Sequence, residues 1–169
     1  VSLADIGDIF TSMFMHGGWA HLLGNMLYLW IFGDNVEDRM GSFNYLIFYL
    51  AGGVAASLAH ILTNPGSQIP TVGASGAIGA VLGAYLVLYP RSRVLTFIPL
   101  GFFMRLTLVP ASIVLGLWFV LQLFSGVLSL GGPDVGGVAF WAHIGGFAFG
   151  ALIAFLFARE HKPSSTTTW

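Results

Sequence analysis

The chain has 169 residues, of which 56% are hydrophobic and only 8% are charged, and its formal net charge is −1. Because soluble domains carry about a quarter charged residues, this composition is typical of a membrane protein. It provides no basic surface for nucleic acid, and the lack of cysteine excludes a disulfide framework, thiol catalysis and a cysteine-ligated metal.

Five apolar stretches follow one another, at about 19–32, 43–62, 72–89, 108–130 and 138–157. Most are close to the length of about 20 residues that a helix needs to cross a bilayer. Helix-breaking residues such as Asn64-Pro65-Gly66 and Pro90 separate them. They lack the alternation of barrel strands, so helices are the remaining way to satisfy the backbone in lipid. The sequence predicts an all-α, polytopic helical membrane domain over residues 1–158 and a polar tail over 159–169.

The charged residues between the stretches predict an orientation. When the loops are taken alternately, one face receives every Lys and Arg of the chain, namely Arg39, Arg91, Arg93, Arg105, Arg159 and Lys162. The positive-inside rule makes that face cytoplasmic, together with the C-terminus. The N-terminal segment, which begins at Val1 without a signal peptide, is then expected outside, as it would be if a preceding transmembrane helix were absent.

Two polar residues inside the apolar stretches indicate chemistry. Ser75 lies among glycines near the start of the third stretch, and His143 lies near the start of the fifth. Such groups are costly in hydrocarbon, and a neutral imidazole within reach can take the proton that makes a serine nucleophilic. Because both stretches run inward, both residues fall in the extracytoplasmic half of the bilayer. We therefore predict that Ser75 and His143 form a catalytic dyad.

Further polar residues lie at the same depth on the first stretch. His21 and Asn25 have the i, i+4 spacing that places them on one helical face. With the backbone N–H of Ser75, they are candidate donors to the oxyanion that develops in acyl transfer. Hydrolysis also needs water, so the site is expected to open to the extracytoplasmic side, with His16 near the entrance.

Small residues favour a close approach of the two helices that carry the dyad. They are Gly79 with Gly83, and Gly146 with Gly150. Taken alone, Ser75 also fits a helix-packing serine bonded to its own backbone, and its segment is not a G-x-S-x-G elbow because Ala77 occupies the last glycine position. No H-E-x-x-H spacing or nearby acidic ligand favours a metal, and no cofactor is predicted.

Four motifs in order resemble the rhomboid family of intramembrane serine proteases, over residues 10–157. The family's second-helix motif is similar to His16-Gly17-Gly18-Trp19 with His21 and Asn25. The turn that follows it in the family is similar to Glu37, Arg39 and Gly41. The nucleophile motif is matched by Gly73-Ala74-Ser75-Gly76, and the last-helix motif A-H-x-x-G-x-x-x-G by Ala142-His143 with Gly146 and Gly150. One such motif is weak, whereas four in order are specific.

The resemblance implies a six-helix core, of which five helices are present here and the first is absent. It implies Ser75 as nucleophile, His143 as general base, and an oxyanion site made by His21, Asn25 and the Ser75 amide. The implied activity is cleavage of transmembrane proteins near their outer ends, in a bacterial inner membrane. Substrate access is implied beside the fourth stretch and the loop over 131–138. Gly79 stands where some members carry an aromatic that stacks on the histidine, so no group is assigned that orients His143.

Two other functions fit parts of the pattern. A rhomboid-like pseudoprotease would bind membrane clients without cutting them, although such proteins usually lose the serine or the histidine that this chain keeps. A small transporter or channel would need a polar path across both leaflets, and the inner halves of these stretches lack charges. The sequence therefore favours a serine endopeptidase whose partners are transmembrane substrates and the lipid bilayer.

Overall fold

The computed structural model describes residues 3–65, 72–100, 103–130 and 138–160. Its helices are α1 (Leu3–Ser12), α2 (Trp19–Tyr28), α3 (Asp34–Met40), α4 (Ser42–Thr63), α5 (Ser75–Leu88), α6 (Ala111–Ser129) and α7 (Phe140–Glu160). A π-helical turn, Leu29–Gly33, joins α2 to α3, and strands β1 (Arg93–Leu100) and β2 (Phe103–Pro110) lie between α5 and α6. The predicted polytopic helical bundle is confirmed. The tail beyond residue 160 and the loop over 131–137 lie outside the described residues.

Three helices are long and apolar enough to cross a membrane: Ser42–Thr63, Ala111–Ser129 and the segment Phe140–Arg159. The apolar helix α5 is shorter, because it begins at Ser75 rather than at residue 72. Gly73 has φ 117°, a left-handed conformation that is incompatible with an α-helix, so the helix cannot begin earlier. At the other end, Pro90 disfavours helical geometry at Tyr89, and α5 ends at Leu88. Ser75 is thereby fixed as the first residue of its helix.

Helix α5 is the centre of the bundle. Residues 76–85 are all buried, and α4 and α7 pack along this helix. Small residues make the approach possible: a Cβ at Gly52 would lie 2.6 Å from Ala80 Cβ, and a Cβ at Gly76 would lie 2.6 Å from Ala56 Cβ. A helix that is apolar on all sides is typical of a bundle centre. The polar group at its first residue is therefore held in a tightly packed frame.

The segment after α2 remains helical as far as Met40. Glu37 and Arg39 lie on α3 rather than in a turn, and Gly41, with φ 80°, ends this helix as its N–H donates to the carbonyl of Glu37 at 2.7 Å. Tyr89 Oη donates to the carbonyl of Asn35 at 2.7 Å, and burial raises the pKa of Tyr89, which keeps this donor protonated. This bond ties the end of α5 to the start of α3.

A two-stranded antiparallel hairpin, which the sequence analysis did not predict, connects α5 to α6. Its register pairs Arg93 with Pro110 and Leu100 with Phe103. Both strands contain β-branched residues, among them Val94, Thr96 and Thr107, which favour a pleated arrangement. Residues 108–110 had been assigned to the fourth apolar stretch, but they belong to β2, and α6 begins only after Pro110. Helix α1 was also not predicted.

Candidate active site

The structure brings the two predicted partners together at the starts of two helices. Ser75 is the first residue of α5, and His143 lies in the first turn of α7. Ser75 Oγ and His143 Nε2 are 2.8 Å apart, within hydrogen-bond distance. Both side chains are partly buried. A base in contact with a hydroxyl at this distance is the arrangement required of an activated serine.

Glycines on α5 and α7 set this distance. A Cβ at Gly79 would lie 3.0 Å from the carbonyl oxygen of His143. Further along the crossing, a Cβ would overlap backbone at three other positions: Gly83 against Phe147, Gly146 against Gly76, and Gly150 against Ala80. The two helices therefore touch backbone to backbone, as the small-residue spacing predicted. The position of His143 relative to Ser75 is fixed by main-chain contacts.

Two side-chain donors from α2 face the residue pair that precedes Ser75. His21 Nδ1 accepts a 3.5 Å hydrogen bond from the N–H of Gly17, so its proton lies on Nε2. A Cβ at Gly73 would lie 2.8 Å from that Nε2 and 3.5 Å from Asn25 Nδ2. Asn25 is 8% exposed, and its Nδ2 has no hydrogen-bond partner among the described residues. Both groups are donors positioned beside the nucleophile segment.

The start of α5 supplies a third donor. The first N–H groups of a helix have no acceptor within the helix, and the helix dipole makes this end partly positive. The loop before α5 is held in place because the N–H of Gly73 donates to the carbonyl of Ser12 at 2.9 Å. The N–H of Ser75 and the side chains of His21 and Asn25 can therefore stabilise negative charge near the Ser75 hydroxyl.

His16 lies against His21, with the ring centroids 5.2 Å apart in an edge-on arrangement. The His16 ring is half-buried, and its Nε2 has no partner among the described residues. The neighbouring Gly17 and Gly18 are exposed. His16 therefore borders the outer side of the donor group, between the exposed loop and His21.

Helix α6 adds two residues that the sequence analysis missed. Gln122 Oε1 lies 2.9 Å from His143 Nδ1, and the Trp118 ring lies 5.9 Å from the His143 ring at 37°. Both belong to the inward face of α6, together with the buried Ala111, Leu115 and Gly126. The available signal was the amide itself: an unpaired glutamine inside an apolar stretch is costly, so it predicts a buried partner.

The sequence of this chain is similar to the sequences of known proteins. A sequence model of the rhomboid domain matches residues 4–160. The chain belongs to the rhomboid family. It is 41% identical over 85 residues to rhomboid protease GluP of Bacillus subtilis (strain 168), covering 50% of this chain and 16% of that protein.

Two other rhomboid relatives match different extents of the chain. RHOMBOID-like protein 1 of Arabidopsis thaliana is 31% identical over 153 residues, covering 90% of this chain and 35% of the relative. The putative rhomboid protease YdcA of Bacillus subtilis (strain 168) is 32% identical over 78 residues, covering 46% of this chain and 39% of the relative. The matched segments thus cover between 16% and 39% of the length of these relatives.

Membership of the rhomboid family and the apolar helices identify an integral membrane protein. Within this rhomboid domain, the motif residues occupy two regions. The first contains Ser75, His143 and His21 in the first turns of their helices, with Asn25 one turn further along α2, and the second contains Glu37, Arg39 and Gly41 at the opposite end of the α2–α3 segment. In the described part of the chain, no three His, Asp or Glu side chains are grouped as metal ligands.

Proposed function

We propose that the chain is the catalytic core of an intramembrane serine endopeptidase, which hydrolyses peptide bonds in or near transmembrane segments of membrane proteins. The observation that carries the proposal is the 2.8 Å contact between Ser75 Oγ and His143 Nε2. Rhomboid membership and the similarity to relatives named as rhomboid proteases support the same activity.

In this reaction, Ser75 Oγ attacks the carbonyl carbon of the scissile bond while His143 Nε2 takes the hydroxyl proton. The carbonyl oxygen becomes an oxyanion, which accepts hydrogen bonds from the Ser75 N–H, Asn25 Nδ2 and His21 Nε2. His143 then gives its proton to the leaving amine as the C–N bond breaks, which leaves an acyl-enzyme. Water hydrolyses the acyl-enzyme in the same way and releases the carboxylate product and free Ser75.

The proposed membrane arrangement follows the charge distribution. The site opens to the extracytoplasmic side of a membrane, which in a bacterial cell is the inner membrane, and the C-terminus is cytoplasmic. Water reaches the site past His16 and the exposed Gly17 and Gly18. This arrangement places the reacting bond near the outer end of a transmembrane substrate.

Substrate reaches the site laterally, beside α6. Among the described residues, α6 packs against α5, α7 and the hairpin but makes no contact with α2. His21 lies on α2 and Gln122 lies on α6. The loop over 131–137, which the sequence analysis placed at the same access route, lies outside the described residues.

A fluorophosphonate probe, which reacts with activated serines, tests the proposal. Labelling is expected in the wild-type protein in membranes and is expected to be lost in Ser75→Ala and in His143→Ala, because one lacks the nucleophile and the other the base. Ser57→Ala, which removes a half-buried serine of α4, is the matched control and retains labelling.

The same variants are then assayed with a model transmembrane substrate reconstituted in liposomes. A product that depends on both Ser75 and His143 supports endoproteolysis. Equal labelling of Ser75→Ala, or client binding without any Ser75-dependent product, contradicts the proposal; the latter result indicates a client-binding rhomboid protein.

A further inference from the structure

His143 must be correctly protonated and oriented, as well as close to Ser75, to act as a base. Nε2 can accept the Ser75 proton only when the imidazole carries its own proton on Nδ1. Gln122 Oε1, which can only accept, lies 2.9 Å from Nδ1. An amide oxygen at this position therefore selects the tautomer that the proposed reaction needs.

We propose that Gln122 is a positioning residue that holds His143 in its Nδ1–H tautomer, and that the Trp118 ring restricts the imidazole plane. This inference rests on the proposed function. The side-chain contacts with the His143 ring come from α6. Gly79, one helical turn after Ser75, lies against the backbone of His143 instead. A neutral amide is also cheaper to bury than the carboxylate of a serine protease triad, because no charge leaves water.

Substitution of Gln122 separates positioning from packing. Gln122→Leu removes the acceptor at similar size, so kcat for a model substrate is expected to fall by about 10- to 100-fold, while KM stays unchanged. Gln122→Glu retains an acceptor oxygen and is expected to recover most of kcat. Leu121→Ala, a lipid-facing change on the same helix, is the matched control and leaves kcat unchanged.

Nitrogen-15 NMR of imidazole-labelled protein gives a readout that needs no catalysis. The His143 signal, assigned by its loss in His143→Ala, is expected to show a protonated Nδ1 in the wild type and a mixture of tautomers in Gln122→Leu. An unchanged tautomer together with an unchanged kcat overturns the positioning role while Ser75-dependent cleavage stands. Absence of any Ser75-dependent cleavage overturns the proposed function instead, and the NMR result still decides the tautomer.

The hairpin between α5 and α6 carries a second, independent inference. One of its faces is turned toward the bundle, where Val94 packs against the core. Cross-strand pairing places Leu95 opposite Leu108 and Phe97 opposite Leu106 on the other face. We call this face the outer face; its large apolar residues are 51–72% exposed and are Leu95, Phe97, Met104, Leu106 and Leu108.

The base of the hairpin adjoins a helix that is long and apolar enough to span a membrane. The hairpin leaves the end of α5 and returns directly into α6, a membrane-spanning helix, so its base is at the membrane boundary. A two-stranded hairpin is marginally stable in water, and an exposed apolar patch of this kind marks an interaction site. Exposed Arg91, which precedes β1, and Arg93, which shares a face with Leu95 and Phe97, add positive charge that is attracted to anionic headgroups.

We infer that the outer face of the hairpin inserts into the headgroup and acyl boundary of the leaflet at the arginine-rich end of the bundle, as a membrane-surface anchor. The inference requires only that the protein is embedded in a membrane and does not depend on protease activity. Insertion buries the apolar side chains in lipid while the flanking arginines contact phosphate groups.

Because the chain has no cysteine, single-cysteine variants can be spin-labelled without background. Outer-face labels at Leu95→Cys, Phe97→Cys and Leu106→Cys are compared with opposite-face controls at Thr96→Cys and Thr107→Cys. The protein is reconstituted in vesicles of phosphatidylethanolamine and phosphatidylglycerol, and collisions with oxygen, which partitions into lipid, are compared with collisions with a water-soluble nickel chelate.

Outer-face labels are expected to collide more with oxygen than with the nickel chelate, whereas the controls do not show this preference. Vesicles without phosphatidylglycerol are expected to reduce the difference, because the arginines lose their anionic partners. Free access of the nickel chelate to the outer face, which indicates water, overturns the inference. Protection from both reagents, which indicates a second copy or another protein on this face, overturns it as well.

Discussion

Helix α7 makes two interfaces that are built differently. Against α5, glycines bring main chain against main chain, so that no side chain lies between Gly150 and Ala80. Against α6, side chains make the contact: Phe119 stacks on Phe147 at 4.6 Å, and Trp141 Nε1 donates to the carbonyl of Gly126 at 3.1 Å. The distance between Ser75 and His143 therefore depends on the rigid, main-chain interface, whereas the orientation of the His143 ring depends on the adaptable, side-chain interface.

The largest effect is expected at the α5–α7 interface. In Gly150→Ala, the added methyl would overlap the backbone carbonyl of Ala80, and backbone cannot rotate away as a side chain can. The helices must separate, so the free energy of unfolding is expected to fall by about 3 kcal/mol and fluorophosphonate labelling of Ser75 to be lost. Thermal unfolding in detergent and labelling in membranes measure the two effects.

Two glycines of α6 provide matched controls for this substitution. At Gly126 an added Cβ would lie 3.1 Å from Ile144 Cδ1, the far end of a flexible side chain, and at Gly116 it would meet nothing within 4 Å. Gly126→Ala and Gly116→Ala are expected to retain labelling. If Gly126→Ala lowered the free energy of unfolding and the labelling as much as Gly150→Ala, the proposed difference between the interfaces would be contradicted.

The second-largest effect is expected at Asn25, a candidate oxyanion donor on α2. Asn25→Ala removes the unpartnered Nδ2 without touching either interface of α7. Since an oxyanion donor acts mainly in the transition state, kcat is expected to fall by about 100- to 1,000-fold with little change in KM. Steady-state cleavage of a reconstituted substrate measures both constants.

Asn44→Ala is the control for this truncation, because Asn44 of α4 is exposed and its side chain donates to the carbonyl of Met40, within the same segment of chain, at 3.0 Å. Its kcat is expected to equal that of the wild type. A rise in KM without a fall in kcat for Asn25→Ala would assign Asn25 to substrate binding rather than to the oxyanion.

The sequence was sufficient to predict the rigid half of this arrangement. Apolar stretches and the direction of each span placed Ser75 and His143 at one depth, and the small-residue spacing predicted a close crossing. The two residues could be expected to meet because the apolar stretches locate the helices approximately and small residues determine how closely two helices approach.

The adaptable half was not predicted. The contact of Gln122 with His143 depends on the rotation of α6 about its axis, which is set by Leu115, Trp118 and their neighbours rather than by composition. The hairpin was missed for a related reason: its residues are apolar enough to resemble the beginning of a spanning helix, and only the cross-strand pairing distinguishes them. The role of each site residue stays a prediction until the substitutions are measured.

The smallest effect is expected at the side-chain interface. Phe119→Leu removes the ring that stacks on Phe147 but keeps an apolar side chain, so the unfolding free energy is expected to fall by about 1 kcal/mol. Because α5 and α7 still touch through their glycines, kcat is expected to stay within about twofold of the wild type, a difference of roughly 0.4 kcal/mol in the barrier.

Phe124→Leu, at a position of α6 that is 63% exposed, controls for the loss of an aromatic ring at the lipid surface and is expected to change neither quantity. A large loss of kcat in Phe119→Leu at unchanged stability would mean that α6 fixes the approach of Ser75 and His143 as strongly as α5 does. The division between a rigid and an adaptable interface would then be wrong, because positioning of the base would extend through the whole length of α6.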